Sequence, residues 1–128
     1  MKKISLLLLL FITIIGLFGC TRGSGVVRKS KEYNTPTKMS MSYEKFTGYR
    51  ETEIKVDEDE TVDVLVDFVT EDGTINAYIS KDNDISNCDY EGHAIQTSSF
   101  TVALSESGTY TIRVDADAHK GSYSFSWE

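Results

Sequence analysis

The sequence predicts an all-β fold. The expected architecture is an antiparallel β-sandwich, jelly-roll-like or immunoglobulin-like, with about seven strands. Three observations predict it. From residue 46 onward apolar side chains recur at every second position, the spacing at which a strand presents one face. The runs are separated by short stretches rich in Gly, Asp and Ser, the residues that turns require. No stretch after residue 19 shows a helical apolar period.

The amino-terminal segment stands apart from this pattern. Lys2 and Lys3 precede an apolar run, Ile4 to Phe18, of 15 residues. As a helix it would reach about 22 Å, short of a bilayer's hydrocarbon core of ~30 Å. A basic start, a short apolar middle and a small residue at the end describe a signal helix over residues 1–19, not a stable span.

Residues 20–42 read as a flexible basic tether. They hold Gly23, Ser24, Gly25, the sole proline Pro36 and many Ser, Thr and Lys, with no apolar period. Arg22, Arg28, Lys29, Lys31 and Lys38 oppose only Glu32 there. The remaining residues, 43–128, carry 6 basic and 19 acidic groups, a net of −13. The whole-chain charge of −7 thus hides a basic segment and a strongly acidic domain. An acidic domain without a basic patch argues against nucleic acid as a partner.

The strands of residues 43–128 follow in order. Residues 46–56 form a weaker strand, with Ile54 and Val56 in phase. Val62, Val64, Val66 and Phe68 define the next, and Ile75, Ala77 and Ile79 another. Phe100, Val102 and Leu104 follow, then Tyr110, Ile112 and Val114, and finally Tyr123, Phe125 and Trp127. Glu71-Asp72-Gly73, Ser105-Glu106-Ser107-Gly108 and Ala118-His119-Lys120-Gly121 read as hairpin turns between them. The in-phase residues form the expected core, which at about 1.5–3 kcal/mol per buried apolar side chain can oppose the entropy of ordering the chain.

Two segments resemble known families. Leu17-Phe18-Gly19-Cys20 resembles the lipobox of bacterial lipoproteins. The resemblance implies cleavage before Cys20, a diacylglycerol on its sulfur and often a further acyl chain on the new amino group. Each buried CH₂ of such chains contributes ~0.8 kcal/mol, enough to hold the protein on a membrane. The protein is then expected to be lipid-anchored at the cell membrane, facing away from the cytoplasm, or at the outer membrane where the host has one. The stretch from Ser99 to Leu104, Ser107 to Val114 and Gly121 to Trp127 resembles the closing strands of small sandwich modules in bacterial exported proteins. These include uncharacterised lipoproteins of Gram-positive bacteria and the carboxyl-terminal modules of secreted peptidases. That resemblance implies a non-catalytic accessory module, some of whose kind bind ligands or calcium.

The residues offer few chemical constellations. Cys88 is the only thiol besides Cys20, and a small buried role suits it better than pairing with His93 as a nucleophile. His93 and His119 are too few and too far apart in sequence for a zinc site. Asp82, Asp84 and Asp89 are candidate calcium ligands, although Asn87 and His93 replace the residues an EF-hand loop requires. Asp115 with Asp117, and the run Asp57-Glu58-Asp59-Glu60, are further acidic candidates. Tyr49 and Tyr78 are out of phase with the core and are candidate ligand contacts. No catalytic set emerges. The expected function is a non-enzymatic binding or accessory module for an extracytoplasmic protein or glycan, with no cofactor other than calcium. The alternative is an inhibitor or immunity-type lipoprotein whose acidic domain steers toward a basic toxin or hydrolase.

Overall fold

The computed structural model describes residues 21–127, and every regular element among them is a strand. The strands are β1 (Arg22–Arg28), β2 (Lys31–Thr35), β3 (Lys38–Val56), β4 (Val62–Lys81), β5 (Cys88–Gly92), β6 (Ser98–Leu104) and β7 (Gly108–Trp127). All their pairings are antiparallel. The expected signal helix and Cys20 lie outside the described residues.

The segment expected to be a flexible tether is folded. It forms β1, β2 and the start of β3. Its polar composition misleads because β1 and β2 form an edge strand, which buries little. Glu32 of β2 binds Arg50 of β3 with Nε donating to Oε2 at 2.9 Å. Arg50 also lies over the Phe46 ring, 5.2 Å from its centroid, so the segment is fastened to the domain. Met39, Met41 and Tyr43, at its carboxyl end and just beyond, belong to the core.

Three strands, β3, β4 and β7, are 19, 20 and 20 residues long. Straight, each would span roughly 65 Å, whereas a domain of about 100 residues has a radius of gyration of ~13 Å. They therefore bend. On one side of the bend the order is β2-β3-β7-β4-β6, and on the other it is β1-β3-β7-β4-β5. The first layer uses residues 38–43 of β3, 62–70 of β4 and 121–127 of β7. The second uses residues 46–56, 72–81 and 108–119 of the same strands.

Each layer has one largely apolar face. Met39, Met41, Val64, Val66, Phe68, Tyr123, Phe125 and Leu104 line the first. Ile54, Val56, Ile75, Ala77, Ile79, Ile112 and Val114 line the second. All of them join one core cluster. No helix among the described residues covers either face, so each layer covers the other. The result is a sandwich made by folding a single sheet. The core expected from the sequence is present, with Phe100 and Val102 packed against its margin. Among the described residues one continuous core cluster joins both layers, drawing on β3, β4, β6 and β7, which is the packing an independently folding domain has.

Two expected hairpins are corrected by this geometry. Asp72-Gly73 and Ala118-Gly121 do not end strands. They sit where β4 and β7 shift register and turn the corner between layers. Both devices need φ > 0, so an Asp-Gly pair reads the same for a bulge as for a turn. Gly73 has φ 75°, Ala118 φ 47° and Gly121 φ 143°. A Cβ at Gly121 would overlap the Val69 carbonyl oxygen, and one at Gly73 would overlap that of Ala118. Ser105–Gly108, by contrast, does join two strands, β6 and β7.

A buried polar relay locks the corner. His119 is 0% exposed. Thr70 Oγ1 donates to the Ile95 carbonyl at 2.7 Å, which uses its only proton. It must then accept from His119 Nε2–H, 2.9 Å away. His119 Nδ1 is left to accept from the Tyr43 hydroxyl at 2.6 Å. The imidazole is therefore neutral. Burial pushes its pKa below the ordinary 6.5. The unfolded chain binds a proton near 6.5, and the folded chain resists it. Stability is thus complete above that value and is lost as pH falls toward the folded pKa.

Two outcomes are expected. The melting temperature should drop between pH about 7.5 and about 5.5, and His119→Gln should flatten that slope while lowering stability at the higher pH. Gly121→Ala should cost about 2–4 kcal/mol in a denaturant titration.

Candidate functional site

The two outer faces of the sandwich differ in chemistry. The first layer's outer face carries mostly short hydroxyl side chains. Ser40, Ser42, Ser122, Ser124 and Ser126 stand in register on β3 and β7. A hollow of about 580 Å³ at its far end is lined by Tyr33, Thr35, Lys38, Asp63 and Leu65, among others. The second layer's outer face carries long charged and aromatic side chains. Tyr49 and Glu51 stand on β3, Arg113 and Asp115 on β7, Asn76 and Tyr78 on β4, and Glu91 on β5.

Arg113 is the centre of this second face. It lies on the middle strand, opposite Glu51 on one side and Tyr78 on the other. Its Nε and Nη2 donate to Asp115 at 3.1 Å and 3.0 Å. Its Nη1 is 3.7 Å from Glu51. Its guanidinium lies 4.2 Å from the centroid of the Tyr49 ring. The hydrogen bonds to Asp115 raise its pKa further, so its charge is permanent. A guanidinium held by two carboxylates and a ring face is pre-oriented, which spares a ligand the entropy of ordering it.

Beside it lies a hollow of about 500 Å³, lined by Tyr78, Asn83, Ile85, Glu91, Arg113 and Asp115. Tyr78 packs edge-on against His93, with centroids 5.8 Å apart. Burial raises the Tyr78 pKa, and the charges of Asp115 and Glu91 raise it further. Its hydroxyl therefore stays protonated and can both donate and accept. The hollow combines an aromatic ring with an amide, a guanidinium and carboxylates. That set suits a neutral polyhydroxyl ligand, whose C–H faces stack on rings and whose hydroxyls need both donors and acceptors.

Tyr49 and Tyr78, named from the sequence, thus share one outer face. They are not equivalent, because Arg113 covers the Tyr49 ring while Tyr78 faces the hollow. Arg113 was not legible as a candidate, since the strand was read only through its in-phase residues. A signal existed: Arg113 and Asp115 sit two apart at outward positions of one strand, which places them side by side.

The other candidates are not brought together. Asp84 Oδ1 accepts from the Ser86 amide at 3.1 Å and from the Ser86 hydroxyl at 2.5 Å, closing its own turn. Asp82 and Asn83 take left-handed φ values of 55° and 57° in the same turn. Among the described residues no three His, Cys, Asp or Glu side chains gather as a metal ion would require. Asp82, Asp84 and Asp89 therefore do not converge, nor do Asp115, Asp117 and the run at residues 57–60. Cys88 is half-buried, and its Sγ donates to the Ile85 carbonyl at 3.3 Å. Burial, then Glu91, Asp84 and Asp89, raise its pKa above the usual thiol value. His93 bonds Glu91 at 2.8 Å, so it is not held as a base for the thiol.

No protein-family model matches the sequence, and no curated relative matches it. Solved structures with a related layout do. The pre-peptidase C-terminal domain of a collagenase from Bacillus anthracis is 15% identical, with 87% of this chain and 90% of that chain covered, at a TM-score of 0.44. TmCBM61, solved with β-1,4-galactotriose, is 17% identical, covering 84% of each chain at a TM-score of 0.48. A family 35 carbohydrate-binding module from Clostridium thermocellum is 11% identical, with 85% and 94% covered and a TM-score of 0.41. At these values no site residue carries over from any of them.

The Cys88 environment has a direct consequence. Alkylation by iodoacetamide near neutral pH should be several-fold slower for native protein than for the denatured chain, read by mass spectrometry over time.

Proposed function

We propose that the protein is a membrane-anchored extracytoplasmic lipoprotein whose β-sandwich binds a glycan without turning it over. One observation carries the binding reading: the hollow beside Tyr78, with Arg113 fixed in place by Asp115, Glu51 and Tyr49. An aromatic wall and oriented donors and acceptors are what sugar recognition needs, and the hollow of about 500 Å³ takes one or two sugar rings. The non-enzymatic reading follows from the chemistry on this face. Cys88 is kept as a thiol, and its nearest histidine is engaged by a carboxylate. The anchor reading rests on Lys2, Lys3, the apolar run to Phe18 and the Leu17-Phe18-Gly19-Cys20 motif.

Screening residues 21–128 against cell-envelope and plant polysaccharides tests the binding reading. A glycan should be retained, and Tyr78→Ala and Arg113→Ala should each weaken it at least roughly tenfold with an unchanged melting temperature, as loss of a buried contact does. Retention of no glycan, or binding by both variants as tight as by the unsubstituted protein, would refute it. Capture of a basic protein instead, abolished by charge reversal at residues 57–60, would favour the inhibitor reading.

A further inference from the structure

Four basic residues of this acidic chain, Arg28, Lys29, Lys31 and Lys45, lie close together. Arg28 of β1 pairs with Lys45 of β3, and Val26 with Thr47. Val26, Val27, Arg28, Lys45 and Thr47 line one shallow hollow of about 400 Å³. Lys29 and Lys31 follow directly at the junction of β1 and β2. Lys29 lies 3.8 Å from Glu44. Among the described residues, no carboxylate forms an ion pair with Arg28, Lys31 or Lys45. Val26 is 76% exposed, more than any other large apolar side chain described. The edge thus presents an exposed apolar side chain flanked by positive charge.

The connections at the open end of the sandwich have the opposite polarity. The connections 57–61 and 105–107 both cross the open end of the sandwich, next to the Val56–Gly108 and Val62–Leu104 rungs. The turn at residues 82–87 closes the same end of the second layer, where Asp82 N–H donates to Thr109 O at 2.8 Å. Asp57, Glu58, Asp59, Glu60, Asp82, Asp84 and Glu106 lie along these separate connections, with Glu106 3.7 Å from Lys81. The basic edge lies at the corner, at the other end of the strands.

We propose that the β1 edge, from Val26 to Lys31 together with Lys45, is a docking surface for an anionic lipid bilayer. Lysine and arginine take the phosphate groups, Val26 enters the interfacial layer, and the acidic open end is held outward by repulsion from the same surface. The chain's own geometry favours this occupant. β1 begins at Arg22, two residues after Cys20, with no spacer between. At about 3.3 Å per residue Val26 lies ~13 Å along the same edge strand. A lipid on Cys20 would therefore lay this edge against the membrane. The proposal takes its setting from the anchored reading, but the surface itself is testable without the lipid.

Residues 21–128, lacking both signal and acyl chain, are mixed with vesicles of phosphatidylcholine alone or with phosphatidylglycerol added, and sedimented. Binding should need the anionic lipid and should vanish at about 1 M salt, where the Debye length is ~3 Å. Each basic residue neutralised should weaken partition roughly fivefold, so Arg28→Gln with Lys45→Gln should lose about 25-fold. Val26→Ser should weaken binding at low salt as well. These side chains are exposed, so unchanged melting temperatures will show that the variants fold. Equal binding to both vesicle types, no binding to either, or full binding by the Arg28/Lys45 variant would overturn the proposal. Loss of fatty-acid labelling at Cys20 is a separate result that would remove the anchor and leave this surface standing.

Discussion

The relay from Tyr43 through His119 and Thr70 to Ile95 ties together β3, β7, β4 and the connection between β5 and β6. It does so where three strands turn from one layer into the other. A sheet bent this sharply loses ladder hydrogen bonds at the bend, and register shifts in all three strands mark the loss. Buried backbone and side-chain groups freed there need partners, at about 1–3 kcal/mol for each left unmade. The histidine, with one donor and one acceptor on opposite sides of its ring, bridges a gap that no apolar residue could. The two layers face each other because this corner holds its angle.

Strand period was legible from the sequence because it reports burial directly. Val64, Val66 and Phe68 alternate with Asp63, Leu65 and Asp67 since only one face meets the core. What the sequence hid was continuity. Asp72-Gly73 could equally end a strand or bend it, and only the pairing of both flanks with β7 decides between them. The edge was hidden for another reason. β1 and β2 bury too little for a period to form, so their backbone pairing with β3 leaves no trace in side-chain pattern. His119 was hidden too, since polarity suggests exposure and its partners lie 76 and 49 residues away.

The second-layer face became visible only through register. Tyr49, Tyr78, Arg113 and Asp115 come from three strands, and only Arg113 and Asp115 are joined by a local spacing. Its neighbours also show how a long strand divides its labour. In β7 the outward residues are serines in the first layer and arginine and aspartate in the second. The change occurs at the corner, so one strand offers a smooth face and a charged one. The basic edge and the acidic open end add a second polarity along the strands. The hollow beside Tyr78, the basic edge and the acidic end thus lie on different parts of one core.

Strand β7 lies between β3 and β4 throughout, and those two strands pair only with edge strands and with it. Among the described strands it is also the last in chain order. Until Gly108 and its successors are made, the inner faces of β3 and β4 have no central partner, and the corner lacks its histidine. Before β7 is made, the chain can therefore form edge hairpins but not the closed core. Timing is thereby built into topology: the sandwich can close only once β7 is available to lie between its two partners.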